Sequence, residues 1–226
     1  MPSWNIHLEA GTRLADKLKL SGVKRQEFLL GCILPDINNG YINHVGIKKR
    51  HHETHYAFND KSTKNFYAEN RVEVDTRNPI YLGYLFHLYT DGYFNHTFYR
   101  EFQKSPLSHK LPSDEWRGIK HHDFWLYDTK FRHQLGVKDA DLEQLAAHAN
   151  TISVVEITPS DIKNVEAVLA DDSFNNHLKG NKYIFYSENR LDNLLNDTIN
   201  GFVRDYLGGP DNAWTTWSWN YSSWAE

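Results

Sequence analysis

The sequence predicts an all-α fold, and three observations carry that expectation. Apolar residues recur at helical spacing through most of the 226 residues. Cap residues and prolines bracket those stretches. The strand-like pieces are confined to ISVVEI at 152–157 and YIFYS at 183–187, too few for a sheet core.

Residues 4–19 place Ile6, Ala10, Leu14, Ala15 and Leu18 on one stripe, with His7 at its border. A second helix starts near Ser21 and stops at Pro35, because proline disfavours helix at the residue before it. Residues 37–60, rich in Asn, Gly and His, read as a long loop, followed by a short helix at 61–73. The helix of residues 78–103 opens with Asn78 as cap and Pro79 in the first turn. Ser113 is the expected cap of a helix ending at Gly136. Further helices fit 139–149, 160–171 with Ser160 as cap, and 188–207, closed by GGP.

This organisation predicts one domain over residues 1–210, with 1–135 as a metal-site core and 136–210 as additional helices. WTTWSWNYSSW lies in an aromatic, Ser/Thr-rich tail at 211–226. A chain of this length buries enough apolar surface to fold without staples.

Composition narrows the function classes. The net charge is −4, the pI is near 6.3, and the only basic block is KKR at 48–50, which argues against a nucleic-acid footprint. The N-terminus lacks a basic start followed by an apolar run, and no apolar stretch reaches membrane-spanning length. A soluble, cytoplasmic protein is expected. The single cysteine, Cys32, sits in an apolar run and reads as a core residue.

Thirteen histidines point instead to metal or phosphate chemistry. In GYLFHLYTDGYF, His87 and Asp91 are four residues apart on one face of an apolar helix. A buried His–Asp hydrogen bond and a metal-ligand pair both fit this spacing. His51 and His55 repeat it beside His52. Asp36 follows the helix-ending proline, and His7 borders a core stripe. Polar candidates embedded in apolar surroundings on four separate elements favour metal, since zinc takes imidazole nitrogen and carboxylate oxygen from elements distant in sequence. His44, His133, His148 and His177 sit in polar contexts and read as surface residues.

The ordered series His7, GCILPDI with Asp36, ETHYAF with His55, and GYLFHLYTDGYF with His87 and Asp91 resembles the zinc-dependent phospholipase C family, over residues 5–100 and as far as 135. The resemblance implies two or more zinc ions. Asp36, His55, His87 and Asp91 would hold one, Asp91 would bridge to a second, and His7 would bind that second ion. THY favours His55 over His52. The family's second ion also takes a free N-terminal tryptophan amine, whereas Trp4 is preceded by three residues and has an amide nitrogen. A third ion would need His96 and a His-x-x-x-Glu that is missing here, although HHDFWLYD offers His121, His122 and Asp128 as a shifted set. By the same resemblance Asp36 is the expected base, and the substrate a small phosphate ester or phospholipid, as for a phosphodiesterase-type hydrolase.

Two other classes remain open on the residues. An HD-type phosphohydrolase would use the His122–Asp123 doublet, and a non-catalytic helical binding protein would use the tail tryptophans.

Overall fold

The computed structural model describes residues 2–39, 49–57, 61–112, 115–171 and 181–208, and among these no strand occurs. His44, His177, Ser113 and the aromatic tail lie outside the described residues. The elements are α1 (Trp4–Lys17), α2 (Gly22–Gly31), α3 (Leu34–Asn39), α4 (His51–Thr54), α5 (Ser62–Glu69), α6 (Arg71–Asp75), α7 (Pro79–Gln103), α8 (Glu115–Asp128), α9 (Leu142–Ala149), α10 (Pro159–Ala170) and α11 (Glu188–Phe202). A π-type turn at Val203–Leu207 continues α11 to the expected end.

α7 is the axis of the fold. Its residues from Ile80 to Gly92 are buried without a break, because α1, α2, α5, α6 and α11 pack around it. The tightest crossing is between α2 and α7. A Cβ on Gly83 would lie 2.1 Å from the Phe28 carbonyl oxygen, and one on Gly31 would lie 2.3 Å from that of Ile80. Glycine is required at both positions because the two backbones touch there. Farther along α7, Phe98 packs edge-on against Phe124 of α8 and against Phe185 and Tyr186. Phe86 and Tyr89 meet Phe202 of α11. One buried apolar cluster runs from Trp4 to Phe202.

Several local expectations change in the folded chain. Pro35 does break α2, but it also sits in the first turn of a new helix, α3. The 37–60 stretch contains the helical turn α4, where the Glu53 carboxylate accepts the Arg50 N–H. The 61–73 helix is two helices, α5 and α6. α8 ends at Asp128 rather than Gly136, because the Glu166 carboxylate of α10 takes the N–H groups of Leu135 and Val137. Thr158, not Ser160, caps α10. Its hydroxyl accepts the Asp161 N–H, and the Asp161 carboxylate accepts the Thr158 N–H, with Pro159 at the first helical position.

Both strand-like runs are irregular, because side chains take the backbone groups a ladder would use. In the first, Asn38 and Asn150 accept the N–H groups of Glu156 and Ile157. In the second, Asp123 collects three N–H groups from residues 184–186. Two of the histidines expected at the surface are instead paired. His148 lies 2.8 Å from buried Glu27, and His133 lies 3.0 Å from Glu9.

Candidate metal centre

Each side chain of the α7 cluster is delivered by a separate local feature. His87 and Asp91 stand one turn apart on α7 and are buried. Close approach at Gly31 and Gly83 brings the end of α2 beside them. There Pro35 has no N–H, and the Asp36 N–H turns back to the Ile33 carbonyl. The Cys32 carbonyl is thereby left to meet His87 Nδ1 at 2.7 Å. That contact places a proton on Nδ1 and leaves the Nε2 lone pair facing inward. His55, just past α4, is set in the same way, with Nδ1 3.1 Å from the His51 carbonyl oxygen and Nε2 inward. Asp36 is carried in the first turn of α3 and is fully buried. His7 comes from α1 and stacks on the His87 ring at 3.9 Å.

The inward atoms are closely spaced. His55 Nε2 lies 3.3 Å from His87 Nε2, 3.4 Å from Asp91 Oδ2 and 3.6 Å from Asp36 Oδ1. His87 Nε2 lies 3.6 Å from the same Asp91 oxygen. The other oxygen, Asp91 Oδ1, lies 3.4 Å from His7 Nε2. Two ligands each about 2.0–2.2 Å from a tetrahedral ion are about 3.3–3.6 Å from one another. These separations are compatible with the ligand spacing of a zinc ion, with the two Asp91 oxygens turned to two different sets of rings.

Hydrogen bonding alone leaves the cluster unsatisfied. Both ring nitrogens of His7, Asp36 Oδ2 and Asp91 Oδ1 are buried without a hydrogen-bonding partner among the described residues. Orphaned buried polar atoms are costly, and several on neighbouring imidazole and carboxylate side chains fit a cation. Burial raises the Asp36 pKa against the pull of the His55 ring. Burial would also raise Asp91, but the facing rings of His55 and His7 outweigh it and hold the carboxyl well below its usual range. His87 is pushed well below the usual imidazole range by burial and by His7, which keeps it neutral as a metal ligand must be.

Of the sequence-predicted residues, the structure thus brings together His7, Asp36, His55, His87 and Asp91, and groups of three among them could hold a metal ion. It does not bring the others to them. His52 is exposed. His96, five residues after Asp91, is turned to another side of α7 and belongs to neither group of described residues that could hold a metal. His121 leans on Trp125, and its pKa is lowered to about 4 by burial and by the charges of Lys120 and Arg117. His122 meets the Lys182 carbonyl at 2.9 Å.

The two aspartates of α8 have structural partners. Asp123 accepts the N–H groups of Ile184, Phe185 and Tyr186 at 2.8–2.9 Å, so the His122–Asp123 doublet clasps that segment and joins no group that could hold a metal among the described residues. Asp128 accepts the Ser3 hydroxyl, the Asn5 amide at 3.0 Å and the Ile6 N–H at 3.1 Å. It caps α1 from another helix, and its negative charge suits a helix N-terminus. Asp128 thereby fixes the turn that carries His7.

Sequence reasoning missed the Cys32 carbonyl and the paired glycines. Glycine inside two apolar helices was the available signal for close backbone approach. It also missed Lys120, whose ammonium is buried in the α7–α8 seam and donates to Asn95 Oδ1 at 2.7 Å.

Fold and site together define an all-helical protein with a buried imidazole–carboxylate cluster able to hold metal. The chain belongs to the zinc-dependent phospholipase C family, whose model matches residues 6–209. The match thus runs well past residue 135, through the helices that the motifs alone left unassigned. No curated protein and no solved structure matches the chain.

Proposed function

We propose that the protein is a zinc-dependent phosphoric ester hydrolase of the phospholipase C type. Asp36, His55, His87 and Asp91 would hold one zinc ion, and His7 together with Asp91 would hold a second. Zinc bound there supplies Lewis acidity toward a phosphoryl oxygen and lowers the pKa of water toward neutrality. The observation that carries the reading is the set of 3.3–3.6 Å separations among the inward atoms, together with orphaned polar atoms on three of the five residues.

The chain's own residues do the rest. The Cys32 and His51 carbonyls hold His87 and His55 in the tautomer that offers Nε2. Asp36 faces His55 with Oδ1, which also accepts from Asn39, while Oδ2 remains to orient water and receive its proton. Family membership supports a phosphodiester of a phospholipid as the first substrate to test. No described helix is long and apolar enough to cross a membrane.

Asp91→Asn tests the reading. The substitution keeps size and polarity but removes the charge that offsets a buried dication. The expected variant keeps its helical spectrum and loses its zinc, along with hydrolysis of chromogenic phosphate diesters and monoesters. If the His87–Asp91 pair is only a core hydrogen bond, the variant keeps its zinc content and loses about 1 kcal/mol of stability. Unchanged zinc would defeat the assignment.

A further inference from the structure

Lys120 is 7% exposed, an uncommon burial for an ammonium, since the charged form is costly to take out of water. A Leu or Met would fill the same seam between α7 and α8 without that cost. Its hydrogen bond to Asn95 places it one turn of α7 from the His/Asp cluster. The acceptor, Asn95, lies one turn beyond Asp91 on α7, so His87, Asp91 and Asn95 form a row at four-residue intervals along one side of the helix. Trp116, one turn before Lys120 on α8, presents its ring 5.3 Å from the ammonium. Asn95 takes one of three ammonium protons, and both are uncharged neighbours.

The carboxylate nearest in the row is Asp91, and its two oxygens already face His7 on one side and His55 and His87 on the other. Burial lowers the Lys120 pKa to about 8, and Asp91 is the principal charge opposing that fall. Once a dication neutralises Asp91, no carboxylate among the described residues is ion-paired with the buried ammonium. A phosphoryl group over the metal cluster restores the balance.

We propose that Lys120 is a substrate-binding residue whose ammonium holds a non-bridging oxygen of the phosphoryl group at the His/Asp cluster. An ammonium so placed acts as a fixed point charge toward phosphate oxygens and gains strength as negative charge builds on them. The inference rests on the proposed reading of the cluster as a zinc site.

The test is calorimetric titration of inorganic phosphate into the zinc-loaded protein, with zinc content measured on the same samples. Lys120→Met is expected to weaken phosphate binding by at least about tenfold at unchanged zinc content. Lys120→Arg, which retains the charge, is expected to stay within a few-fold of the original chain. Asn95→Asp keeps the lysine but gives it a permanent counter-anion, and is expected to weaken phosphate binding like Lys120→Met. It decides the question if the Met variant does not fold. Phosphate affinity unchanged in either folded variant overturns the proposal. So does tighter zinc binding with phosphate unaffected, which would make Lys120 only a balance for Asp91. A zinc-loaded chain that binds phosphate through Lys120 yet hydrolyses no ester would defeat the hydrolase reading and leave the subsite standing. Failure of the original chain to take up zinc would bring down both.

Discussion

The middles of α7 and α8 both carry histidine and aspartate in apolar surroundings, yet the two helices satisfy their carboxylates in opposite ways. On α8, the buried carboxylates of Asp123 and Asp128 meet backbone N–H, amide and hydroxyl donors from residues 3–6 and 184–186. On α7, both Asp91 oxygens face imidazole nitrogens, and one has no hydrogen-bonding partner among the described residues. A buried carboxylate surrounded by fixed donors is a structural clasp. One surrounded by ring nitrogens at coordination-shell spacing is a group that could hold a cation. The residue types and the greasy context are shared, so only the identity of the partners separates the roles.

The comparison is broken most directly by removing the α8 clasp. Asp123→Ala orphans three N–H groups, that of Tyr186 buried and the other two part-buried, and is expected to cost about 3 kcal/mol of stability. Zinc content per folded chain should not change. Lost zinc in a folded Asp123 variant would restore the HD reading and erase the distinction between the helices. Asp128→Ala is expected to cost about 2 kcal/mol, since it strips the first turn of α1 of its acceptor. Because that turn carries His7, zinc titration of this variant should show weakened binding of the second ion before the first. Equal loss of both would mean that His7 and the other ligands serve a single ion.

The smallest effect concerns His121. Its folded pKa is about 4, below the 6.5 of the free side chain, so the unfolded chain takes up the proton first. Stability should therefore fall as pH drops from about 6.5 to about 4, and His121→Gln should flatten that slope. The ring is partly exposed, so the difference is at most about 1 kcal/mol. Melting temperatures of the two chains at pH 7 and pH 5 measure it. A parallel shift of both curves would mean that the ring titrates as freely as in water.

Much of this fold was legible because its signals are local. Asn78-Pro79 and a 25-residue apolar period announce α7, and the four-residue spacing of His87 and Asp91 puts them on one face. The five residues that the structure gathers were all readable as candidates, His7, Asp36, His87 and Asp91 as polar groups in or beside apolar sequence and His55 by its spacing from His51 and the THY match. The boundaries that failed did so for long-range reasons. α8 stops at Asp128 because Glu166, about thirty residues on, holds the backbone that follows it. ISVVEI and YIFYS have strand propensity, but side chains distant in sequence take their N–H groups.

By itself the sequence determined the long helices and several of the polar side chains that face the core, because periodicity, caps and prolines act within a turn or two. Only the tertiary structure decided what each buried polar group meets. Asp128 and the N-terminal turn it caps are 122–125 residues apart, and the Cys32 carbonyl and the imidazole it orients are 55 apart. Partner identity at such distances depends on how closely the backbones pack. Here that closeness is set by two glycines, Gly31 and Gly83, which bring α2 and α7 into backbone contact.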